Sequence, residues 1–150
     1  MQFIRNSSQY TTALGRLTLL ALVFSVPARA MPLIPDLGIA GKFNAFVLEG
    51  MDGYHSDVEG RLAVGGNLKL EHYSIGMQLP NSHGLRDDLI VGGNADFQHG
   101  RVYSGNAVVG GEDNIHPQNV GFYSGDDPSD TSGSARNGSS LDFAALGDEL

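Results

Sequence analysis

The sequence predicts an all-β protein built as a stacked solenoid of short strands, in the manner of a parallel β-helix. Three observations carry this. The nine residues LAVGGNLKL at 62–70 return as LIVGGNADF at 89–97, and a weaker copy, YSGNAVVGG, stands at 103–111. Short runs of β-formers are each closed by Gly or Asn. No stretch between 35 and 139 keeps a helical apolar period. A strand-turn-strand unit that repeats cannot bury its own apolar face and needs a neighbour above and below, which is the logic of a coil. An antiparallel sandwich with repeated hairpins is the alternative architecture.

Taken in order, the chain opens with Arg5 and Arg16, then an apolar run, LTLLALVFSV at 17–26, too short to span a bilayer comfortably. Pro27 and the small-x-small pattern of Ala28, Arg29 and Ala30 follow. Residues 1–30 therefore read as a secretory signal peptide and 31–150 as the exported domain. Candidate strands in that domain are FNAFVL at 43–48, RLAV at 61–64, LKLE at 68–71, LIV at 89–91, ADFQ at 95–98, RVY at 101–103 and AVV at 107–109. The corners between them are assigned to Gly65, Gly66 and Asn67, to Gly92, Gly93 and Asn94, and, in the weaker copy, to Gly105 and Asn106. Glycine and asparagine accept positive φ at low cost, and Asn can bond its own or a neighbour's backbone, so they suit sharp bends. With the coils in register, Leu62, Val64, Leu68 and Leu70 lie over Leu89, Val91, Ala95 and Phe97 on the inward side, and Lys69 lies over Asp96 facing solvent. Residues 125–140 (GDDPSDTSGSARNGSS) read as a polar loop or linker. A helix is expected to begin in LDFAALGDEL at 141–150, with Ser139 or Ser140 as its cap and Asp142 in its first turn. Because that helix has barely begun where the sequence stops, the domain is expected to be truncated.

FNAFVLEG at 43–50, SDVEGRLAVGGNLKLEHYSIG at 56–76, LIVGGNADFQHGRVYSGNAVVGG at 89–111 and LDFAAL at 141–146 together resemble the choice-of-anchor A domain family of bacterial exported surface proteins. The resemblance implies a predominantly right-handed β-helical, adhesin-like domain on the outside of a bacterium, secreted or held at the cell surface. This chain departs from the family in carrying no visible anchor. The resemblance brings no catalytic residues with it.

Composition narrows the function classes. Nine basic and seventeen acidic residues give a formal charge of −8; removal of Arg5, Arg16 and Arg29 with the signal peptide leaves six against seventeen, or −11. Such a surface repels phosphate backbones and anionic lipids, so neither nucleic acid nor a membrane surface is an expected partner, and no membrane insertion is expected once the signal is cleaved. There is no cysteine, so stability must come from burial and backbone hydrogen bonds. Twenty of the 120 residues after the signal are glycine, without a three-residue period.

Possible chemistry is sparse. His72 and His99 each follow the repeat asparagine by five residues, so stacked coils would pair them on one face, where they could share a metal with Glu71 or Asp96; a solvent-facing ladder is the plainer reading. Asp126, Asp127 and Asp130 offer oxygen ligands to calcium, but their spacing fits neither the helix-flanked calcium loop nor the nonapeptide calcium β-roll, and a solvated linker is favoured. Asp52, Asp57 and Glu59 are carboxylates of the kind that polysaccharide hydrolases pair. Tyr54, Tyr73, Tyr103 and Tyr123 lie near turns, where rings stack on sugars or close a core. No phosphate loop or nucleophile elbow is present. The expected function is therefore a non-catalytic adhesion module for an extracellular glycan or protein ligand, without a resident cofactor, and the alternative is an exported carbohydrate-active enzyme on the same scaffold.

Overall fold

The computed structural model describes residues 36–123, 133–138 and 141–149. A 3-10 turn at Ala40–Lys42 leads into strands β1 (Ala45–Val47), β2 (Met51–Val58), β3 (Leu62–Val64), β4 (Leu68–Ile75), β5 (Asp87–Val91), β6 (Ala95–Val102), β7 (Asn106–Val109), β8 (Asp113–Ile115), β9 (Val120–Gly121) and β10 (Ala135–Asn137), followed by helix α1 (Phe143–Glu149). Odd strands form one sheet in the order β1-β3-β5-β7-β10, and even strands form a second, β2-β4-β6-β8, with β9 also paired to β6. Every pairing is parallel. The chain thus visits each sheet in turn and returns one strand further along, a circuit termed a rung below. Antiparallel hairpins are ruled out for the repeats by this pairing.

The two strong copies stack as the repeat predicts: Leu62 pairs with Leu89, Val64 with Val91, Leu68 with Ala95 and Leu70 with Phe97. All eight are buried in one interior cluster. The interval between these copies is not the basic rung, however. Ala45 pairs with Leu62 and Leu89 with Ala107, and both of those circuits are much shorter in sequence than the one from Leu62 to Leu89. The longer circuit carries an insertion, the 77–86 loop, tied down by Ser104 Oγ donating to Leu79 O (2.9 Å) and Asn106 Nδ2 donating to Gly84 O (2.7 Å). A bulge follows at Asp88, where the register shifts. Asp88 is fully buried and pairs with Arg86, while Arg61 Nε approaches it at 3.9 Å. Burial pushes the Arg61 guanidinium below its ordinary value, and Asp88 acts in the opposite direction.

Corner chemistry differs from expectation. Gly65, Gly66, Gly92 and Gly93 do not have positive φ; among the described residues those that do are Gly38, Gly76, Gly84, His55, His72, His83 and His99. What the corner glycines provide is closeness. A Cβ on Gly66 would lie 2.8 Å from Gly50 N, and one on Gly92 would run into Gly65 O. Asparagine behaves as predicted, bonding the next rung: Asn67 Oδ1 accepts from Asn94 N and Asn94 Oδ1 from Glu112 N, both at 2.9 Å. In the weak copy the matching corner is Gly110, Gly111 and Glu112, because Gly110 N bonds Val91 O as Gly92 N bonds Val64 O. Gly105 and Asn106 lie instead at the opposite end of the sheet, where Asn106 pairs with Asp87.

Two further differences concern the C-terminal part. Residues 125–140, expected as a polar loop, contain β10, which pairs with β7 through Ala135, Arg136 and Asn137. A strand this short needs no apolar alternation, because it is added to an edge already laid down and Arg136 Nη2 bonds the Asp87 carboxylate at 2.8 and 2.9 Å. Helix α1 forms as expected, but Asp142 is its cap, accepting the Ala145 N–H at 3.1 Å. Ser139, Ser140, the 1–30 segment and the candidate calcium residues Asp126, Asp127 and Asp130 lie outside the described residues.

Candidate functional site

The even strands do not run straight. The register of β2 on β4 passes from Tyr54↔Glu71 to Ser56↔Tyr73, and that of β4 on β6 from Glu71↔Gln98 to Tyr73↔Gly100, skipping a histidine on each strand. Those residues, His55, His72 and His99, have φ of 49°, 52° and 52°. A left-handed residue in a strand turns its direction, so each even strand bends at its histidine, and all three rungs bend at the same height. Histidine is among the residues that tolerate this conformation.

The imidazoles consequently stack in one column. Ring centroids of His55 and His72 are 4.8 Å apart with planes 8° from parallel, and those of His72 and His99 are 5.1 Å apart at 16°. All three side chains are exposed, and His72 Nε2 lies 3.9 Å from Glu71 Oε1. Beside this column two others run in register along the outer face: Tyr54, Glu71 and Gln98, then Asp52, Lys69, Asp96 and Asn114. Lys69 sits between two carboxylates, the favourable cross-strand order. Gln98 is held in place, donating to Asp96 Oδ1 and accepting from Asn119 Nδ2, both at 2.9 Å.

This geometry sorts the residues singled out from sequence. His72 and His99 come together, and His55 joins them. It was missed because its rung has Leu48, Glu49 and Gly50 where the later rungs have Gly-Gly-Asn. A usable signal existed: each histidine follows an inward valine, Val47, Val64 or Val91, by eight residues. A shared ion would require ring nitrogens about 2.0–2.1 Å from one point, whereas parallel stacked rings keep their nitrogens side by side. Among the described residues no three His, Cys, Asp or Glu side chains form a metal-holding group. Asp52 and Asp57 lie on opposite sides of the His55 bend, the first over Lys69 and the second over Ser74, so the register does not pair them. Of the tyrosines, Tyr54 is exposed on the face, while Tyr73 is buried with its hydroxyl donating to Asp57 O at 3.3 Å. Tyr103 and Tyr123 sandwich the Arg101 guanidinium at 4.4 and 3.9 Å, and Arg101 Nη2 donates to Tyr123 Oη at 2.7 Å.

The other sheet offers no comparable surface. Ala63, Ile90 and Val108 alternate away from the interior, yet they are 0, 4 and 2% exposed. At the same edge the Phe143 ring of α1 packs against Phe46 with centroids 5.5 Å apart and planes tilted by 31°, and Phe46 against Phe43 at 5.7 Å and 59°. Among the described residues, the sheet face with the more exposed side chains is that of β2, β4, β6 and β8. No helix among the described residues is long and apolar enough to cross a membrane.

Comparison with known proteins agrees with a binding architecture. No curated protein and no solved structure matches the chain. Residues 36–150 match the family model described as "Putative Ice-binding-like adhesive domain", a span that includes every strand described above. The chain belongs to this ice-binding-like adhesive domain family.

Proposed function

We propose that this protein is an exported, non-catalytic adhesion module that holds an extracellular glycan or protein ligand against the outer face of β2, β4, β6 and β8. The observation that carries the reading is the set of exposed side chains repeating once per rung along three columns, within a family described as adhesive. A rigid array at fixed spacing favours many weak simultaneous contacts over one deep pocket. The in-register parallel rungs support a β-helix of right-handed sense, the hand that crossovers between parallel strands take. Membership in the choice-of-anchor A group, export through the 1–30 segment and display on a bacterial surface complete the proposal. It requires no resident metal or cofactor. The test is a glycan and extracellular-matrix array probed with the purified protein, paired with a reducing-sugar release assay on any glycan it captures. Capture without release is the expected result. Release of sugar ends would make the protein a carbohydrate-active enzyme, and an array without any captured ligand would remove the adhesive reading.

A further inference from the structure

Resting on that adhesive reading, we infer that the ligand is a neutral, extended β-1,4-linked polysaccharide that lies along the histidine column, one sugar ring to a rung. Three observations lead there. First, the stacked imidazoles cover one another's faces and leave a line of ring edges toward solvent, each ring carrying two nitrogens able to form hydrogen bonds. The adjacent Tyr54, Glu71 and Gln98 stand at the same interval, so each rung adds one polar side chain beside its histidine, a phenol, a carboxylate and an amide in turn.

Second, the interval selects the polymer. The column repeats at 4.8 and 5.1 Å, close to the advance per ring of an extended β-1,4-linked pyranose chain. Successive rings of such a chain turn over, but each still brings a hydroxyl-bearing edge to its own rung, whereas an extended peptide advances about 3.3–3.4 Å per residue and returns a side chain to the same face only every two residues. The peptide falls out of step with the column within two rungs. Third, charge selects among polysaccharides. The column is flanked on one side by Glu71 and, one column further out, by Asp52 and Asp96 with Lys69, and on the other side by Asp57 and Arg101, so carboxylates outnumber cations beside it, and the whole chain is at −8. A uronate or sulfated polymer meets this face at an electrostatic disadvantage, and a neutral one does not.

The inference predicts a length dependence that simple stickiness does not. Calorimetric titration of the full chain with neutral β-1,4-linked glucose and N-acetylglucosamine oligomers of two to six rings should show affinity rising about threefold to tenfold per ring up to three rings, then levelling. A β-1,4-linked uronate oligomer of equal length should bind more weakly. Combined His55→Asn, His72→Asn and His99→Asn substitution keeps residues that accept the left-handed backbone, and should abolish the gain from the third ring with the melting temperature held. Should the triple variant not fold, His72→Asn alone, at the middle rung, should lower three-ring affinity to the two-ring value. Affinity independent of length, tighter binding of the uronate, or full binding by a folded histidine variant would each overturn the inference. An array ligand still captured by the histidine variant overturns it while leaving the adhesive reading intact, whereas an array with no ligand for the native protein removes both.

Discussion

At His72 the backbone and the side chain make separate demands, and substitution can tell them apart. The left-handed conformation costs an ordinary L-residue roughly 1–2 kcal/mol, least for Asn and nothing steric for Gly. His72→Asn and His72→Gly are therefore expected to stay within about 1 kcal/mol of the native stability, while His72→Val, with its branched Cβ, should lose about 2 kcal/mol or more in chemical denaturation. Equal losses across the three would mean that stacking, not φ, dominates at this corner. The glycine corners obey a different rule. A Cβ on Gly92 meets Gly65 O and the Phe143 ring, and the carbonyl belongs to a stacked backbone that cannot swing away. Gly92→Ala should cost about 1–3 kcal/mol and lower the melting temperature by several degrees; an unchanged melting temperature would show that the rungs can separate there. Asp88 is the third kind of residue, a buried carboxylate at a bulge shared by Arg86 and, more distantly, Arg61. Both arginine side chains reach some solvent, which limits the penalty of leaving them unpaired, so Asp88→Ala is expected to cost about 2–3 kcal/mol rather than the upper value for a fully buried pair. Denaturant midpoints for Asp88→Ala and for the Asp88→Ala/Arg86→Ala double variant would check this, the second change adding little if the two act as a pair.

Among the elements, α1 depends most on packing. Seven residues cannot sustain a helix in water without tertiary contacts, and its described anchors are the Asp142 cap and the Phe143 ring against Phe46. Phe143→Ala should raise hydrogen exchange across α1 by an order of magnitude or more while β3 to β7 keep their protection; protection retained in α1 would point to another anchor. The elements also differ in how legible they are. LAV, LIV and AVV announce β3, β5 and β7 because both faces of that sheet are covered, so apolar residues stand at every position. β2, MDGYHSDV, hides for the opposite reason: it is the first strand of its sheet, mostly exposed, and its inward Gly53 leaves space that the Tyr73 and Leu70 side chains occupy. β6 reads as two strands, ADFQ and RVY, because His99 and Gly100 interrupt the alternation where the strand bends, although it is continuous from Ala95 to Val102. The histidine column was half legible. Two members share an offset from the repeat asparagine, and the third belongs to a rung whose corner is written in different letters.

On the scale of the whole molecule, a short rung, as from Ala45 to Leu62 and from Leu89 to Ala107, is lengthened by the 77–86 insertion between Leu62 and Leu89 and again between Ala107 and Ala135. The 77–86 insertion explains why the strong sequence repeat shows a longer period than the short rung and why the weak third copy falls out of phase. The insertion enters between the sheets, so apart from the bulge at Asp88 the stacking on either side of it continues. That continuity is what aligns the outer columns, and the binding proposals inherit their spacing from it. The account therefore rests on parallel, in-register rungs. The most direct test is nuclear Overhauser contact mapping in solution: contacts between the ring protons of His55 and His72 and of His72 and His99, together with Val64 to Val91 methyl contacts, are predicted, with none between His55 and His99. Backbone contacts of antiparallel type between these strands, or histidine rings with no mutual contact, would contradict it.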